Sequence, residues 1–180
     1  MLFALAEGKG FLAHREIDGS LHVYTALTAA EDWLGTIDFA DADRSRAGVL
    51  ARFDGWDASP KSPVANADGR LTPRKIDVVP VGHRWNRVPG VTLLGDAAHL
   101  MSPFAGEGAD LAMLDGAELG QPFAAHPNDP ERALTVYEEA LFPRGAEKAA
   151  ESAAGLEMCF GDEPVTQLLR LFTDTPTVTD

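Results

Sequence analysis

The stretch Val91 to Leu119, "VTLLGDAAHLMSPFAGEGADLAMLDGAEL", constrains the fold more than any other part of the chain. An apolar run, Val91 to Leu94, ends in Gly95-Asp96. A loop containing Pro103 follows, and Gly106-Glu107-Gly108 then opens a segment with helical spacing. A short apolar run closed by glycine predicts a strand, and the small residues Ala109, Ala112 and Gly116 predict a tightly packed helix beginning at about Gly106. In an α/β layout, the crevice at a strand's carboxyl end is where ligands bind. An acid placed there repels phosphate and accepts hydrogen bonds from sugar or polyol hydroxyls. Glycines at 106 and 108 let backbone N–H groups approach a flat ligand, with no Cβ in the way. The helix start carries about half a positive charge, which favours negative charge on the ligand's edge. These features together predict a crevice for a ligand with hydroxyls and an electron-rich edge.

Rival readings of the same stretch fail on spacing. Gly106-x-Gly108 lacks the third glycine of a dinucleotide fingerprint, because position 111 is Leu. No P-loop, G-x-S-x-G elbow or H-E-x-x-H is present. His99 with Asp96 is half a metal site without further ligands at useful spacing, so His99 reads as a packed histidine, and no metal site is assigned.

The rest of the chain is read by periodicity. Phe11–Ile17 and Ser20–Leu27 flank Asp18-Gly19, a hairpin signal with a two-residue type I′ turn. If Ile17 pairs with Ser20, Arg15 lies opposite His22 and Ala13 opposite Tyr24. Arg46, Val49, Leu50 and Phe53 predict a helix starting near Asp41 or Asp43. "DASPKSPVANADGRLTP" reads as loop with one helical turn from Pro60. "RKIDVVPV" predicts a strand ended by Pro80 and Gly82. "GQPFAAHPNDP" breaks the chain after Leu119. One long helix then runs to "LEMCF", bent at Pro143, with Ala133, Val136, Tyr137, Ala140 and Leu141 as its apolar stripe, and "PVTQLLRLF" makes a short last helix.

Composition excludes several classes. A formal net charge of -13 argues against a nucleic-acid partner, since a phosphate backbone would be repelled. No apolar run reaches membrane-spanning length, and the start "MLFALAEGKG" lacks the basic region of a signal peptide. The single Cys159 excludes an internal disulfide and fits a reducing cytoplasm, the expected location.

"LLGDAAHLMSPFAGEGADLAMLDGAEL" resembles the second flavin-binding motif of single-component (group A) FAD-dependent monooxygenases, the aromatic hydroxylases. It is most similar to their tetracycline-inactivating branch. The G-D-A-A-H, P-F-A-G-x-G and D-G-x-x-L elements match in order and spacing. The likeness extends to "SLHVY", "DGW", the strand before "PV" and the long helix ending "LEMCF". The resemblance implies an α+β fold in three parts: a substrate-side sheet and helix region (1–90), the strand–loop–helix flavin motif (91–121) and a C-terminal helical region (122–180). It implies FAD as cofactor, with Asp96 hydrogen-bonding the ribityl chain and Pro103 and Gly106 at the isoalloxazine edge. The amides of Gly108 and Ala109 would face its pyrimidine carbonyl, and His22 and Met158 would contact the small-molecule substrate. It further implies NAD(P)H as co-substrate and hydroxylation of an aromatic or polycyclic small molecule through a flavin hydroperoxide, with no catalytic side chain.

Two departures accompany the likeness. Asp110 stands where the family usually carries Asn. Nothing in the chain resembles the family's G-x-G-x-x-G dinucleotide-binding half, so the chain reads as a C-terminal half that binds FAD poorly alone and does not turn over. This leaves two protein partners open, the absent N-terminal half or a second copy in a homodimer. The rival expectation is a truncated, non-catalytic module for binding a small molecule or a protein.

Overall fold

The turn at Asp18-Gly19 forms, but through a loop one residue longer than the sequence suggested. In the computed structural model, which describes residues 2–173, the Gly19 N–H donates to Glu16 O at 3.0 Å and the Glu16 N–H donates to Ser20 O at 2.9 Å. Gly19 sits at φ +89, and the Asp18 carboxylate accepts the Ser20 N–H at 2.9 Å and its hydroxyl at 2.7 Å. This is a turn closed by a left-handed glycine bulge, a geometry that Asp-Gly serves as well as it serves type I′. The expected register is corrected by one residue: His14 pairs with His22, Arg15 with Leu21, and Leu12 with Tyr24.

Strands β1 (Leu2–Ala6), β2 (Lys9–Arg15) and β3 (Leu21–Leu27) form an antiparallel sheet in that order. One face carries Phe11 into a core with Val49, Phe53 and Val64. Phe11 stacks on Phe53 at 4.1 Å, and Trp56 meets both rings edge-on at 5.7 and 5.1 Å. Such aromatic pairs add about 0.5–1.5 kcal/mol to their burial. Helix α1 (Ala42–Leu50) begins as expected, with Asp41 accepting the N–H groups of Asp43 and Arg44. Helix α2 (Ala58–Ala65) runs longer than the single turn predicted from Pro60.

Two compact units divide the chain. One takes in residues up to Lys75 and from Met158 onward; the other is Ile76–Glu157. The second unit holds α3 (Asp96–His99), α4 (Gly108–Ala125) and most of α5 (Pro130–Phe160), and the first holds α6 (Pro164–Thr173). No helix among the described residues is long and apolar enough to cross a membrane.

The two strands predicted at Arg74–Val81 and Val91–Leu94 do not form. Only single links remain, the Val79 N–H to Leu100 O at 2.9 Å and one bridge between Val88 and Val91. A strand needs a ladder partner, and neither segment has one among the described residues; α5 side chains instead hold the loop between them and the Thr92 hydroxyl. Glu138 accepts from Trp85 Nε1 at 3.1 Å and Thr92 Oγ1 at 2.7 Å, while Glu131 accepts the Gly90 N–H at 2.6 Å and pairs with Arg87 at 2.8 Å. The predicted break after Leu119 is also corrected, because α4 continues through Pro122 to Ala125. Helix α5 runs through Pro143, with Ala133, Tyr137 and Leu141 buried. Its expected stripe is half right, since Ala140 is exposed and Leu134 and Glu138 are buried.

Two helical glycines make a paired test of this packing. A Cβ at Gly155 on α5 would lie 2.8 Å from the Phe104 carbonyl oxygen, whereas one at Gly116 on α4 meets nothing within 4 Å. Gly155→Ala should lower stability, because a backbone clash of about 1–3 kcal/mol outweighs the helix-propensity gain of about 1 kcal/mol. Gly116→Ala should raise it by up to about 1 kcal/mol. Urea denaturation of both variants checks the opposite signs.

Candidate functional site

Gly95 fixes where the candidate site begins. Its φ of 58 and ψ of -142 belong to a region essentially reserved for glycine, and the turn it makes swings Asp96 to the surface at the start of α3. The Asp96 carboxylate is exposed and accepts no hydrogen bond among the described residues.

The turn is held from beneath by Asp115 of α4, which is fully buried. Its carboxylate accepts the Gly95 N–H at 2.8 Å, His99 Nε2 at 2.6 Å and the Arg144 guanidinium of α5 at 2.9 Å. An ionised carboxylate only accepts, so the His99 proton lies on Nε2. Arg144 also pairs with Glu118. Burial works against the Arg144 charge, and its bonds to Asp115 and Glu118 outweigh it, holding the guanidinium above its ordinary pKa. Burial, reinforced by the Asp115 charge, likewise raises the Tyr137 phenol, whose hydroxyl donates to Leu93 O at 3.3 Å.

The loop before α4 is anchored in the same way. Ser102 and Ser152 are buried and share a hydroxyl contact of 2.6 Å, and Ser152 Oγ donates to Ser102 O at 2.6 Å. Pro103 is exposed and opens a 3-10 turn, Pro103–Ala105, that ends at Gly106 with φ +72.

One expectation shifts here. The helix starts at Gly108, not at Gly106, and the Gly106 N–H is taken by Pro103 O at 3.1 Å. The N–H groups of Glu107, Gly108, Ala109 and Asp110 meet no carbonyl among the described residues, and no side chain caps the helix. A Cβ at Gly106 or Gly108 would meet nothing within 4 Å, so the space before these amides is open. Four donors at the positive end of an 18-residue helix thus lie in the same unit as an unpartnered carboxylate. Two concavities of this chain lie elsewhere, one lined by Ala47, Leu50 and Lys61, the other by Val79, His83 and Phe142. The amide row is an open wall.

Asp96, Pro103, Gly106, Gly108 and Ala109 therefore fall in one unit, and His22 and Met158 in the other. His22 is exposed on the outer sheet face, and Met158 is half-buried in the last turn of α5. Sequence reading missed Asp115, Arg144 and the Ser102–Ser152 tie. A signal for Asp115 existed: it lies three residues after Ala112, on the face assigned to packing, where a carboxylate needs a cation.

Removing that carboxylate tests the anchoring. Asp115→Ala should lower stability by about 3–5 kcal/mol, because it strands the buried guanidinium. Glu118→Ala, at the wetter end of the network, should lose about 1 kcal/mol or less. Chemical denaturation of the two variants reads the difference.

Residues 73–152 match the family described as FAD binding domain. The chain is similar to the FAD-dependent urate hydroxylase of Mycolicibacterium vanbaalenii, 32% identical over 124 residues that cover 67% of this chain and 31% of the relative. It is also similar to kynurenine 3-monooxygenase of Salinispora arenicola, 38% identical over 91 residues covering 47% of this chain and 20% of that protein. A third relative is 3-hydroxybenzoate 6-hydroxylase of Klebsiella oxytoca, 32% identical over 104 residues covering 58% and 26%. The matched part of the chain spans about a third or less of each relative. The expectation of FAD as cofactor is borne out at the level of the family, and the segment that carries Asp96 and the amide row is a match to an FAD binding domain, similar to part of known flavin-dependent hydroxylases.

Proposed function

We propose that this chain supplies the flavin-ring and ribityl wall of an FAD-dependent monooxygenase that hydroxylates an aromatic or polycyclic small molecule. The observation that carries the reading is the row of unpaired N–H groups from Glu107 to Asp110, in one unit with the unpartnered Asp96 carboxylate. The family match of residues 73–152 supports it.

The residues present fit the cofactor. Asp96 accepts hydrogen bonds from the ribityl hydroxyls, and the open space at Gly106 and Gly108 admits a planar ring against the backbone. The amides of Gly108 and Ala109, at the positive end of α4, stabilise negative charge on the pyrimidine edge of that ring. Bound FAD supplies the redox and oxygen chemistry, with NAD(P)H as the source of electrons. His22 and Met158 are the substrate contacts in this reading, and the proposed branch is the tetracycline-inactivating one, on the motif resemblance alone.

Asp110 sets a tension inside the site. It is exposed in the first turn of α4, where a carboxylate suits the helix but places like charge beside the electron-rich edge. A second reading, a non-catalytic binding module, draws on exposed apolar side chains: Ile76, Val78, Val81, Val88 and Val91 are 51–56% exposed.

Flavin titration separates the two. Followed by the visible spectrum and the fluorescence of the flavin, riboflavin and FAD should bind this chain with similar affinity, since the contacts are to ring and ribityl. Asp96→Ala should weaken both about tenfold or more, the loss of a charged hydrogen bond of about 1.5–3 kcal/mol. Asp110→Asn should tighten both about two- to fivefold, from about 0.3–1 kcal/mol at the helix terminus. Binding by the isolated chain should be weak, and binding that Asp96→Ala leaves unchanged would overturn the proposal in favour of the second reading.

A further inference from the structure

The corrected hairpin register brings three ligating side chains to one point. His14 and His22 are directly paired across β2 and β3, so both imidazoles stand on the same outer face. Glu16, two residues beyond His14, shares that face at the mouth of the turn. His14 Nε2 lies 2.9 Å from Glu16 Oε1, and His22 Nδ1 lies 3.5 Å from the same oxygen. Among the described residues, this is the set of three His, Cys or carboxylate groups whose ligand atoms all fall within 4.8 Å of one another.

We propose that His14, Glu16 and His22 form a surface site for a divalent first-row transition ion of the zinc type, with the remaining coordination positions open to water. Zinc bonds of about 2.0–2.2 Å to imidazole nitrogen and carboxylate oxygen put neighbouring ligand atoms about 2.9–3.5 Å apart at angles between octahedral and tetrahedral. The two separations to Glu16 Oε1 match that spacing, and all three ligand atoms lie within 4.8 Å of one another, so an ion draws the two imidazoles toward a shared point.

The scaffold pre-orients the set. The His22 ring lies 4.6 Å from Tyr24 and 5.2 Å from His14, and Tyr24 and His14 are 6.1 Å apart, so the three rings form one cluster on this face. Glu16 is held by its own backbone, which accepts the Gly19 N–H and donates to Ser20 O. The donor set decides the class of ion. Two imidazoles and one carboxylate suit Zn2+, Ni2+ and Cu2+, whereas Mg2+ and Ca2+ need all-oxygen shells. A chain with net charge -13 also favours a dication over the anions in solution. Without an ion, the same contacts amount to an exposed pair worth little to stability. The site shares His22 with the substrate contacts proposed above, but its test uses no flavin and does not depend on flavin binding.

The test is calorimetric titration of the untagged chain with Zn2+ alone, in a buffer that does not coordinate metal, with Mg2+ as the comparison. The expected result is one Zn2+ per chain and no binding of Mg2+ at the same concentrations. His14→Ala and His22→Ala should each weaken Zn2+ by more than the tenfold or so that losing an outer-shell partner costs. His83→Ala and His126→Ala should leave it unchanged. Histidine ring NMR signals of the unsubstituted chain provide the second readout: on Zn2+ addition, those of His14 and His22 should move and the other three histidines' should stay. Absence of Zn2+ binding, equal binding of Mg2+, or binding that follows His83 or His126 instead would overturn the site.

Discussion

A buried carboxylate organises the unit that carries the flavin motif. Asp115 is fully enclosed, and it joins the Gly95 amide, the His99 ring and the Arg144 guanidinium. Enclosing a charge is expensive unless every lone pair finds a partner, and here three elements converge to provide them. The consequence for function is geometric. Gly95 is tied inward through its N–H, so the next residue, Asp96, is turned outward with its carboxylate free. The same helix that buries Asp115 presents unpaired amides at its start. One hydrogen-bonded knot therefore fixes both features on which the proposed flavin recognition rests.

The donor end of α4 is kept open by what the chain does not place there. No side chain caps the helix, Gly106 adopts a left-handed conformation, and the glycines leave space where a Cβ would stand. Unpaired amides at a helix start are ordinary where water reaches them. Their combination with the glycine-only turn at Gly95 and an unpartnered acid is what the flavin proposal rests on. The nearby ties of Ser102 to Ser152 and of Lys148 to Glu107, the latter at 3.6 Å, hold the loop and the helix start against α5.

How much of this was legible in sequence varies by element. The α1 cap at Asp41 and the long α5 followed from local chemistry, and they emerged as read. The strands at Arg74–Val81 and Val91–Leu94 did not, because strand formation depends on a ladder partner that periodicity cannot supply. The hairpin failed by one residue for a different reason, since Asp-Gly fits both a two-residue turn and a bulged three-residue loop. That single slip decided whether Arg15 or His14 faces His22, and with it whether the outer sheet face holds a cluster of ligands. Asp115 was hidden because a charge on a packing face announces a partner but not which one. Arg144 lies far along the chain on another helix.

The amides at the start of α4 and the Asp96 carboxylate are proposed to form a flavin-binding surface. Residue-resolved amide NMR of the chain during a riboflavin titration tests it most directly. The account predicts saturable shifts concentrated at Glu107, Gly108, Ala109 and Asp110 and at the Gly95–Asp96 turn. Shifts confined to other residues, or none at these amides at saturating riboflavin, would contradict it.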